Sequence, residues 1–363
     1  MGDVYDDLQE QLDQYSVFPK TSSGVERDIL RGLFSQEEAR MYLLMSLLPE
    51  TASRVAERTG RDLGETEALL EGMADKGLLF RQRKPEGARY AAAPYVVGVY
   101  EFQVKDMDRE FARLNEQYFE EAFGEQATRQ FSLMRPIPVN RSIAVGWPVA
   151  PYDQAWEILK DKTLIAVADC ICRKQQKLLD QGCDKPREVC FMFGSHARYY
   201  MDRGMGREVS REEAFKILEA CEEAGLVLQP FNAQNPGGMC NCCGDCCAML
   251  RALKKHPSPA RMTLSNYYAE VDPEECVACE ACVERCQMDA VQVGEKGVAE
   301  VDLNRCIGCG LCVTTCPTGA VALHMKPEEE RQVPCVSGKE AFMQMAQVRG
   351  KSLIPLAFLS GKD

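Results

Sequence analysis

The chain has 363 residues, 45% hydrophobic and 27% charged, long enough for two or three domains with cores of their own. A formal charge of −12 argues against bulk nucleic-acid binding, which needs a basic surface, and no run approaches the roughly 20 apolar residues that cross a bilayer. The acidic opening MGDVYDDLQEQLDQY lacks the apolar stretch of a signal peptide, so a cytoplasmic chain is expected; its 19 cysteines then point to metal or redox chemistry, because thiols stay reduced there.

Residues 36–92 read as helix, short helix, turn, helix and β-hairpin. EEARMYLLMSLLP is apolar and stops at Pro49, and TASRVAERTG opens on Thr51 as an N-cap and stops at Gly60. GETEALLEGMADKGLL turns Leu69, Leu70 and Met73 inward, and LLFRQRKPEGARYAA suits two strands around a PEG turn. This order resembles a winged helix. A recognition helix that enters the major groove meets phosphates, yet the second helix here carries Glu65, Glu67, Glu71 and Asp75 against Lys76. Arg81, Arg83, Lys84 and Arg89 lie on the expected wing and are placed to touch one phosphate backbone. Protein docking and DNA binding both stay open, with docking favoured.

YEFQVKDMDREFARLNEQYFEEAFG reads as a long helix with Phe111, Leu114, Tyr118 and Phe119 inward. The proline-rich RPIPVNRSIAVGWPVAPY is expected to run extended across a neighbouring domain. His196, His256 and His324 stand singly, without the paired spacing of a zinc hydrolase.

The middle of the chain gathers thiols: Cys170 and Cys172 in DCICRK, Cys183, Cys190, and Cys240, Cys242, Cys243, Cys246 and Cys247 in MCNCCGDCC. Adjacent cysteines cannot all reach bridge geometry, so disulfides are a poor account of them. A helical reading of 240–247 would put Cys240, Cys243 and Cys247 on one face and Cys242 and Cys246 on another. Gly244 argues against a continuous helix, but in either case neighbouring cysteines point apart and the segment serves two sites more easily than one. One or two further clusters are expected here, with structural zinc as the rival and free or catalytic thiols third. REVSREEAFKILEACEEAGLV reads as an amphipathic helix with Ser210 and Glu213 as a capping box, and Cys221 within it as a core residue.

CVACEACVERC places Cys276, Cys279, Cys282 and Cys286, and CIGCGLCVTTCP places Cys306, Cys309, Cys312 and Cys316. Both follow C-x2-C-x2-C-x3-C with matching flanks, an internal duplication of roughly thirty residues. A tight C-x2-C-x2-C loop delivers three thiolates to one cubane, and the fourth comes from the other half. Residues 270–325 resemble the bacterial-type ferredoxin domain with two [4Fe–4S] clusters. That resemblance implies one cluster on Cys276, Cys279, Cys282 and Cys316, and a second on Cys306, Cys309, Cys312 and Cys286. Gln287 stands where that family usually has proline. With CxCR and CNCC elements ahead of it, the whole resembles multidomain [4Fe–4S]-binding proteins of anaerobic bacteria.

The expected fold is α+β and multidomain: a winged-helix-like domain over 1–100, a Cys-rich α/β domain over 101–262, a two-[4Fe–4S] ferredoxin-like domain over 263–328 and a helical tail over 329–363. There is no dinucleotide fingerprint, Walker loop, nucleophile elbow or HExxH. The expected function is electron transfer through [4Fe–4S] clusters as a subunit or partner of a larger anaerobic oxidoreductase, without nucleic acid or a transmembrane segment. The alternatives are an iron–sulfur DNA-binding redox sensor and an enzyme with an open cluster site in the middle domain.

Overall fold

The structure, a computed structural model, describes residues 3–123, 133–144 and 147–359. It opens on two helices that the sequence reading passed over, α1 (Val4–Tyr15) and α2 (Val25–Leu33). Leu8 and Leu12, one turn apart, are buried, and the Tyr15 hydroxyl donates to the Met45 carbonyl at 2.6 Å. Helix α3 (Gln36–Leu44) follows behind a complete capping box of Ser35 and Glu38, then β1 (Glu50–Thr51), α4 (Ala52–Thr59) and α5 (Leu63–Asp75). Thr51 caps α4 and Gly60 closes it at φ 66°, a left-handed position glycine adopts without strain. Strands β2 (Leu79–Lys84) and β3 (Gly87–Ala92) pair antiparallel around Pro85 and Glu86, and β1 adds to β3. The helices and hairpin therefore stand where the sequence placed them.

The wing residues do not all remain available. Arg81 is buried and ion-paired with Glu71 and, at 2.7 Å, with Asp75. Arg83 lies 3.5 Å from Glu71 and 3.4 Å from Asp202. The expected long helix is also shorter than read: α6 spans Arg109–Tyr118, because Asp108 caps it by accepting from the Phe111 amide at 2.7 Å. Tyr118 and Phe119 are buried, while Phe111 and Leu114 are only half-buried.

Residues 155–255 build a five-stranded sheet. In chain order come α7 (Ala155–Lys160), β4 (Ile165–Asp169), α8 (Ile171–Leu178), β5 (Glu188–Phe193), α9 (Ser195–Asp202), β6 (Gly206–Glu208), α10 (Arg211–Glu223), β7 (Val227–Pro230), β8 (Gly238–Cys242) and α11 (Ala248–Lys255). The strand order is β6-β4-β5-β8-β7 and every pairing is antiparallel, so this region is α+β and not the α/β of the sequence reading. Cys221 in α10 is fully buried, as a small hydrophobe would be, and burial pushes its thiol up to about 12.

The start of the proline-rich segment, residues 135–139, runs extended along the edge strand β7, whereas Asn140–Ser142 and Pro151–Asp153 are short 3-10 turns. Arg135 and Ile137 amides donate to the Pro230 and Leu228 carbonyls, and the Val139 amide donates to the Cys309 carbonyl at 3.0 Å. Arg135 and Asp153 form a buried ion pair there, with the Tyr267 hydroxyl 3.1 Å from the same carboxylate. Buried ions persist only when hydrogen-bonded in this way.

After α12 (Pro259–Met262), the last sheet-bearing part has β9 (Tyr267–Val271), α13 (Ala281–Arg285), β10 (Val291–Val293), β11 (Ala299–Val301) and β12 (Val321–Met325). Strand β9 pairs with β12 and β10 with β11, the two halves repeating one pattern. The tail helix α14 (Gly338–Val348) buries Ala341, Met345 and Ala346, and Arg349 reaches Asp13 on α1 at 2.7 Å, so the tail packs on the protein itself. One apolar core runs continuously from Tyr5 to Leu311, and a smaller one joins Ala269, Cys282, Val291, Ala299, Cys312 and Val321.

Candidate functional site

The MCNCCGDCC segment is not a helix, so the face-sharing expected of one does not occur. Cys240 and Cys242 end strand β8, Gly244–Cys246 form a turn, and Cys247 is the N-cap of α11. Side chains two apart in a strand share a face, which sends Cys240 and Cys242 one way and Cys243 the other. The segment does serve two places.

The first is a ring of six thiols. Phe191 pairs with Met239 across β5 and β8, so by continuation Cys190 stands opposite Cys240. Thiols that shift one another's titration then close a circuit: Cys170 with Cys172 and Cys190, Cys240 with Cys190 and Cys242, and Cys247 with Cys242 and Cys172. Cys170 is the N-cap of α8 and Cys247 that of α11, so two eight-residue helices aim their N-termini at the ring. Such ends favour negative charge. Hydrogen bonds from Cys172 and Cys190 hold Cys170 well below the ordinary thiol range, and bonds from Cys240 and Cys247 hold Cys242 down to about 7. Cys172 and Cys190, which donate to Cys170, are driven up.

Arg173 lies against this ring and was missed by the sequence reading. It is 2% exposed, and its Nη2 donates to the Asn241 carbonyl at 2.8 Å. Its Nε and Nη1 are buried without a partner, and after burial the influences on it are the charges of Cys170, Cys243, Cys242 and Cys190. A buried guanidinium with donors to spare among thiols suits an anionic group held by those sulfurs. The R of DCICRK was the available signal: a charge one residue past a thiol pair, at the start of a helix.

The second place is compact. Cys183, from the loop between α8 and β5, has its sulfur 3.6 Å from both Cys243 and Cys246. All three sulfurs lie within 4.8 Å of one another, a closeness no other group of metal-binding side chains attains among the described residues. The nine middle-region cysteines thus divide six and three.

In the repeat, Cys276, Cys279, Cys282 and Cys316 line one small cavity together. Cys306, Cys309 and Cys312 gather in the second half with Cys286 from the first; burial above all, and the charge of Cys286 beside them, raises their thiols. Burial pushes Cys309 up to about 12, whereas Cys279 is exposed. Backbone amides already point at sulfur: Ala299 at Cys276, Ala290 at Cys286 and Ala269 at Cys306, at 3.3–3.4 Å. Amides so placed stabilise thiolate and tune a bound cluster.

Gln287 joins the two regions. Its side-chain oxygen accepts from the Gly244 amide at 2.8 Å, and a Cβ on Gly244 would run into the Gln287 carbonyl oxygen. The turn between Cys243 and Cys246 therefore rests on the residue that follows Cys286. Arg285 adds bonds to the Glu222 and Glu223 carbonyls at the end of α10.

A separate, mostly apolar cavity of about 970 Å³ lies among the hairpin, the sheet and α14, lined by Phe80, Phe193, His196, Phe231 and Phe342 and by no cysteine. His196 stacks on Phe80 with centroids 4.8 Å apart, and burial holds it down to about 4, so it is neutral.

Among known proteins, no curated sequence and no solved structure matches the chain. The sequence profile of the 4Fe-4S dicluster domain matches residues 269–325, the stretch that carries the duplicated cysteine runs. The chain contains a 4Fe-4S dicluster domain.

Proposed function

We propose that the protein transfers electrons through iron–sulfur clusters: two in the dicluster domain and at least one more in the six-thiol ring. Cys276, Cys279, Cys282 and Cys316 would hold the first cluster, and Cys286, Cys306, Cys309 and Cys312 the second. Cys170, Cys172, Cys190, Cys240, Cys242 and Cys247 would supply the ligands of the third. When bound, the clusters supply the one-electron chemistry; the chain fixes their spacing, charge and access to water.

The observation that carries this reading is the seat of the Gly244 turn on Gln287. It sets the cysteine-rich middle region directly beside the half-buried second set of thiols, and that set shares an apolar core with the first one, whose Cys279 is exposed. The order suits a conduit: a mostly buried ring, a half-buried set, then a set with one exposed thiol. The thiols fit the task, since Arg173, two helix N-termini and inward amides all favour negative charge at sulfur. The 36–92 module is read as a winged helix used for docking to a larger oxidoreductase. Its exposed α5 residues Glu65 and Glu67 are acidic, and Arg81 is already paired.

Iron and acid-labile sulfide per chain, measured on anaerobically purified protein, test the reading. About twelve or more of each are expected. About eight of each would confine electron transfer to the dicluster domain and overturn the role given to the ring.

A further inference from the structure

The three-thiol group differs in kind from the ring. A tetrahedral ion bound by thiolates at about 2.3 Å needs sulfurs roughly 3.8 Å apart. Cys183 meets Cys243 and Cys246 at 3.6 Å, with all three within 4.8 Å. A cubane spreads its thiolates over separate irons and so holds them farther apart than one ion does. Among the described residues, no three of the ring's six sulfurs are that close together.

The backbone is shaped for this approach. Gly182 sits at φ 96°, and a Cβ there would come within 3.1 Å of the Cys246 sulfur and 2.9 Å of Gln176 Cβ. Gly244 makes the turn that brings Cys243 and Cys246 round to one side. Neither carboxylate that adjoins the site in sequence is a fourth ligand: Asp184 and Asp245 are both exposed, and Asp245 lies 3.5 Å from Lys185. Among the described residues no histidine, cysteine or carboxylate joins the three. Three thiolates around a divalent ion leave one net negative charge, and Arg173, whose field reaches Cys243, balances it.

We propose that Cys183, Cys243 and Cys246 bind a single zinc ion, three-coordinate from the chain, with the fourth position left to water or another small ligand. The site is separate from the clusters of the electron-transfer reading, and its metal distinguishes the two. Bound there, the ion ties the loop after α8 to the turn that rests on Gln287. A structural zinc normally has four protein ligands, and three with an open position is the pattern of a reactive site. The site is therefore also one where a small donor ligand can reach the metal.

The test uses the full chain, purified anaerobically from zinc-supplemented medium, with zinc, iron and sulfide measured on one sample. Expected are about one zinc per chain and a zinc X-ray absorption spectrum of three sulfurs near 2.3 Å and one lighter neighbour. Cys183→Ser, on a half-buried loop residue, should lose the zinc and keep its iron and sulfide. A wild-type chain free of zinc overturns the proposal, as does a Cys183→Ser variant that loses about four irons, the mark of a cluster with an open iron. The spectrum of the unmutated protein decides the matter if the variant fails to fold: four sulfurs, or none, also overturns it. The iron count of the wild type reads the electron-transfer proposal independently.

Discussion

A guanidinium has five N–H donors, and one shut away from water normally finds an acceptor for each side of its fork. Arg173 is 2% exposed, bonds the Asn241 carbonyl through one nitrogen, and leaves two buried nitrogens without a partner in the field of the middle-region thiols. In a chain that carries a reduced, negatively charged group on those sulfurs, the arginine stabilises the added electron. Removing it should therefore lower the reduction potential of the middle-region cluster. A unit charge about 6 Å away at an effective dielectric of about 20 is worth on the order of 100 mV for one electron. Arg173→Met keeps length and apolar bulk, so a redox titration followed by electron paramagnetic resonance should find the middle-region signal shifted down by roughly that amount. The dicluster signals should stay in place. An unshifted potential at full iron content would show that the guanidinium serves packing alone.

The strand, turn and helix cap of residues 238–248 decide which thiol goes where. Gly244 is the pivot, because any side chain there meets the Gln287 carbonyl. Gly244→Ala should force the turn off the dicluster domain. Overpacking of this kind costs about 1–3 kcal/mol, and thermal unfolding should register it. Stopped-flow reduction should register more: the second dicluster signal should still form, but electrons entering at the ring should reach it several-fold more slowly. An unchanged transfer rate would place the route elsewhere. The same stretch marks how far the sequence could be read. The duplicated runs at 276–286 and 306–316 were legible because their spacing is local and their period explicit. The helices and hairpin of 36–92 were legible from caps, glycines and apolar period. The six-and-three division was not, since it depends on whether Cys240–Cys247 is strand or helix and on β5 meeting β8 with Cys190 opposite Cys240, a pairing of residues far apart in the chain. Gln287 misled for a related reason. Judged locally it is a missing proline; in the fold it is the acceptor for Gly244.

Over the whole molecule the thiols run from buried to exposed. Four of the six ring thiols are buried, the second dicluster set is half-buried except for buried Cys312, and Cys279 reaches the surface. The segment that carries Cys279 also carries Asp272, Glu274, Glu275, Glu280 and Glu284, all exposed, with Val277 63% exposed among them. Arg285, a nearby cation, is turned inward to the Glu222 and Glu223 carbonyls. An apolar centre with an acidic rim beside the outermost thiols is the natural exit for an electron, and its charge selects a positive acceptor. With a net charge of −12 the long-range field has the same sign. Electron delivery to a cationic metal complex should therefore outrun delivery to an anionic one of equal driving force. The gap should narrow as salt rises from about 0.01 M to 0.5 M and the Debye length falls from about 30 Å to a few ångströms. Glu274→Gln combined with Glu275→Gln and Glu280→Gln should shrink the low-salt preference several-fold. Glu65→Gln with Glu67→Gln on α5 changes the net charge comparably at a surface outside the dicluster domain and should leave the preference nearly intact. Equal effects from both sets would mean that the acceptor senses only the overall charge, and that the rim around Cys279 is not the place where electrons leave.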